Sequence, residues 1–152
     1  MSLAPSVLRE LRDAVGPEHV VTEPERLRVY ECDGLTGHRA VPAAVVLPDS
    51  TEEVQAVLRA CHRERVPFVA RGAGTGLSGG ATPSAGGVVV ALTRMNRILE
   101  VDIDSQRIVV EPGVANLDVS RAVAADGFFY APDPSSQQVC TIGGNVAENS
   151  GG

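Results

Sequence analysis

The chain has no lysine and no tryptophan, and all 13 of its basic residues are arginine. Without lysine there is no Schiff-base chemistry and no Walker-type lysine to hold a phosphate. Aromatic residues make up only 3% of the 152 residues, so a core has to be built from Val, Leu, Ile and Ala. Three cysteines (Cys32, Cys61, Cys140) form no CxxC pair and are too few and too dispersed for a disulfide framework. His19, His38 and His62 lack metal-ligand spacing. No apolar run approaches the roughly 20 residues that cross a bilayer. The start carries Arg9, Glu10, Arg12 and Asp13 where a signal peptide would be unbroken and apolar. These absences predict a reduced, cytoplasmic protein with no transmembrane segment. The net charge of −6 argues against nucleic-acid binding.

What is present is an ordinary globular balance, 43% hydrophobic and 21% charged, in a chain long enough for one domain or two small lobes. Residues 5–15 predict an amphipathic helix with Val7, Leu8, Leu11 and Val15 on one face, stopped by Gly16-Pro17. Residues 23–30 predict a second, short helix. Residues 43–47 (AAVVL) have strand length. Ser50 and Glu53 then form a capping box for a helix over 51–64, whose inner face is Val54, Val57, Leu58 and Cys61. Cys61 is therefore a core residue. Phe68-Val69-Ala70 is the next strand. This strand–helix–strand unit should be parallel, with its ligand side at the carboxyl ends of the strands.

Beyond it, 88–92, 98–101 and 108–110 are short β-rich segments with turn-like separators, and they predict an antiparallel meander. A helix is expected over 116–125, with Gly127 as its cap. A turn-rich tail is expected from 131 to the end. The change of pattern near residue 95 divides the chain into an N-terminal helical segment (1–40), a first lobe (41–95) and the start of a second lobe (96–152).

Glycine is the abundant feature. Residues 71–80 read RGAGTGLSGG, with five glycines in nine residues and no acidic residue among them. The spacing is GxGxG rather than GxGxxG, and a strand rather than a helix follows, so the Rossmann reading fails on context. The Walker reading fails for want of a lysine. A run of small residues still lets backbone N–H groups converge on an anion, with Thr75 and Ser78 adding hydroxyls and Arg71 adding charge. The alternative is a flexible loop or hairpin linker. Residues 132–152, about 60 residues on, read PDPSSQQVCTIGGNVAENSGG and crowd small residues, hydroxyls and amides a second time. Two such segments suggest one elongated ligand.

Together these strings resemble the FAD-binding domain of the vanillyl-alcohol oxidase/p-cresol methylhydroxylase type. They are most similar to the branch of the glycolate oxidase FAD subunit and the D-lactate and D-2-hydroxyglutarate dehydrogenases. The resemblance runs from about Tyr30-Glu31-Cys32-Asp33 through VPAAVVLPDSTEEV to Gly152. It implies a two-lobed α+β fold. A small lobe holds a parallel βαβ sheet, a larger lobe holds an antiparallel sheet, and FAD lies between them. By the same resemblance, Arg71 and the backbone of Gly72, Ala73, Gly74, Thr75 and Gly76 cradle the pyrophosphate, and Gly79 and Gly80 continue that wall. Pro132, Ser135, Thr141, Gly143, Gly144, Asn149 and Gly152 match the segment along the ribityl chain and isoalloxazine. The implied reaction is oxidation of a 2-hydroxy acid, glycolate or D-lactate in type, to the 2-oxo acid. An electron acceptor or other glycolate oxidase subunits are the implied partners.

Some relatives in the wider superfamily attach FAD through a His in or near the first loop. This loop has none, so FAD is expected to be non-covalent, Cys140 notwithstanding. Branch members are considerably longer, so the chain is expected to be truncated at its C-terminus and to be inactive alone. No catalytic base or metal site is identifiable. The three histidines are expected on the surface, and Asp33 reads as a loop brace. Two other readings stay open: a non-catalytic or electron-transfer subunit of a glycolate oxidase complex, and another oxidase of the same superfamily.

Overall fold

A computed structural model of the chain describes residues 3–152. Helix α1 (Pro5–Val15) has proline in its first turn and buries Val7, Leu11 and Val15. Helix α3 (Thr51–Arg63) buries Val57, Ala60 and Cys61, and the two helices pack on one side of a sheet. Ser50 caps α3 by accepting from the Glu53 amide at 3.2 Å, while the Glu53 carboxylate accepts from the Asp49 amide at 2.7 Å. The box is thus closed one residue earlier than the usual pattern. Between them, α2 (Pro24–Leu27) and the 3-10 turn Arg28–Tyr30 form the expected second short helix.

The sheet contains β1 (Val20–Val21), β2 (Ala44–Val46), β3 (Phe68–Arg71) and β4 (Val88–Ala91), in the order β1-β2-β4-β3. β2, β4 and β3 run parallel, and β1 pairs antiparallel with β2 through Val20–Val46 and Val21–Val45. The expected meander is corrected here. Residues 88–91 do not pair with the segment 98–101 but insert between β2 and β3, with Ala44, Val88 and Phe68 in register. The physical reason lies in their composition. Val88, Val89, Val90 and Ala91 are all buried, and a strand covered on both faces is an unbroken apolar run rather than an alternating one.

The antiparallel sheet is confined to β5 (Ile98–Asp102) and β6 (Arg107–Val110), a bulged hairpin. It is fastened to the first sheet by arginines. Arg94 donates to the Leu47 carbonyl at 2.6 Å, and Arg97 donates to the Asp49 carbonyl at 3.1 Å and to Glu111 at 2.7 Å. Helix α4 (Asn116–Val123) continues through a 3-10 turn to Gly127, which caps it at φ +80°. A second correction concerns the tail, which contains helix α5 (Ile142–Glu148). Thr141 caps it through the Gly144 amide, and Asn149 ends it in the left-handed region. The two glycines in its first turn hid the helical pattern. No helix among the described residues is long and apolar enough to cross a membrane.

Candidate functional site

The first glycine loop leaves the carboxyl end of β3, where a parallel sheet presents its ligand side. Among the described residues, no acceptor pairs with the amides of Ala73 through Gly80. A bare run of donors of this kind fits an anion. The loop is instead held from behind by the segment around Asp33. The Gly34 amide donates to the Gly76 carbonyl at 2.8 Å, and a side chain at Gly34 would strike that same carbonyl. Asp33 is buried, and it accepts from the amides of Leu35 at 2.9 Å and Ala81 at 3.5 Å. The brace read from the sequence is therefore in place.

Arg71 is buried as well. Its guanidinium donates to the Cys32 carbonyl at 2.7 Å and lies 5.5 Å from the centre of the Tyr30 ring. Burial pulls its pKa below the ordinary arginine value, and Tyr30, Asp33 and Cys32 partly offset that. A Cβ on Gly74, at φ +74°, would collide with this guanidinium. The charge therefore sits beneath the loop rather than on its open face.

The second segment is stitched to residues 112–116. Gly143 donates to the Pro112 carbonyl at 2.8 Å, Ile142 to Val114 at 2.9 Å, and Asn116 to Cys140 at 2.9 Å. That stitching brings Thr141 against the first loop, where a Cβ on Gly72 would collide with its hydroxyl. Further along α5, Glu148 accepts from the Ser78 hydroxyl and fills the space beside Gly80. The two glycine segments thus touch at both ends.

Between them is a cleft of about 300 Å³, at the low end for small-molecule sites. Of the residues expected at a site, Gly72, Ala73, Gly74, Thr75, Gly76 and Gly80 line it from the first loop, and Ser135, Thr141 and Gly144 from the second. Arg71 stands behind the loop, and Gly79 and Pro132 are not in the lining. Gly143 packs on Pro112, and Gly152 packs on Asp133 and Pro134. Asn149 ends α5. The lining proline is Pro134, not Pro132.

Asn145 and Glu148 also line the cleft, although neither glycine motif marks them. Their signal was the helical spacing from Thr141, which places Asn145 and Glu148 one turn apart on one side. Asn145 is 9% exposed, and its Nδ2 has no hydrogen-bond partner among the described residues. Cys140 is buried in the lining, while Cys61 lies in the core, where burial pushes its thiol up. None of the three histidines lines the cleft, and no group of His, Cys, Asp and Glu among the described residues is arranged to hold a metal.

A sequence model described as "FAD binding domain" matches residues 42–152. The chain is 52% identical over 147 residues to the glycolate oxidase subunit GlcD of Escherichia coli K12, covering 97% of this chain and 30% of that protein. It is 34% identical over 151 residues to the D-lactate dehydrogenase of Anaerostipes hadrus, covering 99% of this chain and 31% of that protein. Among solved structures, p-cresol methylhydroxylase with substrate bound superposes with a TM-score of 0.76 at 25% identity, over 93% of this chain and 28% of that one. The chain thus spans about 30% of the length of the curated relatives it matches.

Proposed function

Because this chain belongs to the family of FAD binding domains, we propose that it is the N-terminal FAD-binding part of a flavin-dependent oxidoreductase converting a 2-hydroxy acid, glycolate or D-lactate in type, into the 2-oxo acid. The observation that carries this reading is the junction of the two glycine segments around one cleft with unpaired amides. The likeness to glycolate oxidase and D-lactate dehydrogenase sequences supports the choice of substrate class.

The residues present fit FAD. The amides from Ala73 to Gly80 and the hydroxyl of Thr75 suit a pyrophosphate, while the Ser78 hydroxyl is engaged by Glu148 and the missing side chain of Gly72 lets Thr141 close against the loop. Arg71 adds positive potential from beneath Gly74. Ser135, Thr141 and Gly144 face the remaining length of the cofactor, with Gly143, Asn149 and Gly152 shaping the segment that carries them. When bound, FAD supplies the two-electron acceptor that oxidation of a hydroxy acid requires. The role of this chain is then to hold that cofactor and to screen one of its faces from water. Non-covalent binding and a cytoplasmic location belong to the same proposal, as does an electron acceptor or a further subunit as partner.

The test is spectroscopic. The purified full-length protein should carry a flavin visible spectrum, released intact by denaturation, and glycolate or D-lactate should bleach it anaerobically. A flavin that neither 2-hydroxy acid reduces would overturn the substrate class, and a colourless protein would overturn the cofactor.

A further inference from the structure

We infer that the side-chain amide of Asn145 is a ligand of the bound cofactor, donating to one of its acceptor oxygens. The inference rests on the FAD reading above and extends it to a residue that neither glycine string suggested.

Asn145 lines the cleft, is more than nine-tenths buried, and has an Nδ2 without a partner among the described residues. A buried donor left unpaired destabilises the fold, whereas an apolar side chain of the same size avoids that cost. The backbone around it is fully engaged. Its amide donates to the Thr141 carbonyl at 2.9 Å, and its carbonyl accepts from Ser150 at 2.8 Å. Only the side chain is idle. The same orphaned donor occurs at Asn116 and, as a hydroxyl, at Thr82, but neither lines the cleft, so neither points to a ligand. FAD is rich in carbonyl, hydroxyl and phosphate oxygens, and one of them completes the amide.

This gives two opposite signs. Removing the amide should leave the cofactor-free protein as stable as before or more so, while weakening the loaded form. A residue with a purely structural role would lose both. The experiment uses the full-length protein stripped of flavin, with Asn145→Leu to keep the volume and Asn145→Ala to remove it. Thermal melting reads the apoprotein, and flavin fluorescence titration reads the FAD dissociation constant. The expected result is an unchanged or higher apoprotein melting temperature, with FAD binding weakened about tenfold in both variants. FAD affinity within twofold of wild type overturns the assignment alone. So do variants whose apoproteins melt well below wild type or fail to fold, because the amide would then serve the fold. A wild-type apoprotein that takes up no FAD overturns the cofactor reading and this assignment with it.

Discussion

At the scale of the residue, close approach explains the glycines better than flexibility does. Gly72 is short of a side chain because the Thr141 hydroxyl occupies that space, and Gly74 because the Arg71 guanidinium does. Gly72→Ala should therefore push the two halves of the cleft apart. Overpacking of this kind costs about 1–3 kcal/mol. The penalty should shrink in a Thr141→Ala background, although that change alone removes the α5 cap at about 1 kcal/mol. A double-mutant cycle in urea checks this, and equal penalties in both backgrounds would contradict the contact. Much of this is legible in the sequence. RGAGTGLSGG names the loop, and Asp33 reads as its brace. The direction of Arg71 is not legible, because a strand end does not say whether its last side chain points over the loop or under it.

At the scale of the element, α3 is the clearest reading. A cap, a four-residue apolar spacing and a following proline all agree. Ser50→Ala should lower stability by about 1 kcal/mol, seen as a lower denaturation midpoint at unchanged slope. Two elements depart from the sequence expectation for definite reasons. β4 carries four buried residues in succession, and an apolar run says that a strand is covered without saying which strands flank it. Its true neighbours, β2 and β3, are reached only through crossovers. α5 is hidden because Gly143 and Gly144 lower its helical propensity. Tertiary pairing to Pro112 and Val114 overrides that propensity. The lesson matters for the site, since α5 brings in Asn145 and Glu148.

At the scale of the whole molecule, arginines tie the connection into the hairpin to the first sheet, Arg94 at the Leu47 carbonyl and Arg97 at the Asp49 carbonyl. Arg97 holds Glu111 from its side chain and its amide, and this holds the Glu111 carboxyl below the usual glutamate range. A carboxyl depressed in the folded state contributes stability that is present above its unfolded pKa, near 4.3, and lost as pH falls through the lower folded value. Glu111→Gln should therefore be less stable than wild type at pH 7, with the gap narrowing below about pH 4. Unfolding curves at pH 7 and pH 3 decide this, and a gap independent of pH would contradict it. The α+β class and the two sheet types are both visible in the sequence. What is not visible is that β1, from the N-terminal segment, closes the edge of the first sheet.

The central claim is that the two glycine segments form one FAD cleft. Hydrogen exchange of the full-length protein, read by mass spectrometry as FAD is added to the apoprotein, tests it most directly. The amides of Ala73 through Gly80 have no acceptor among the described residues, so they should exchange fast without FAD. They and residues 141–150 should become protected together, at the same FAD concentration. Protection of one segment without the other, or of neither while FAD binds, would contradict it.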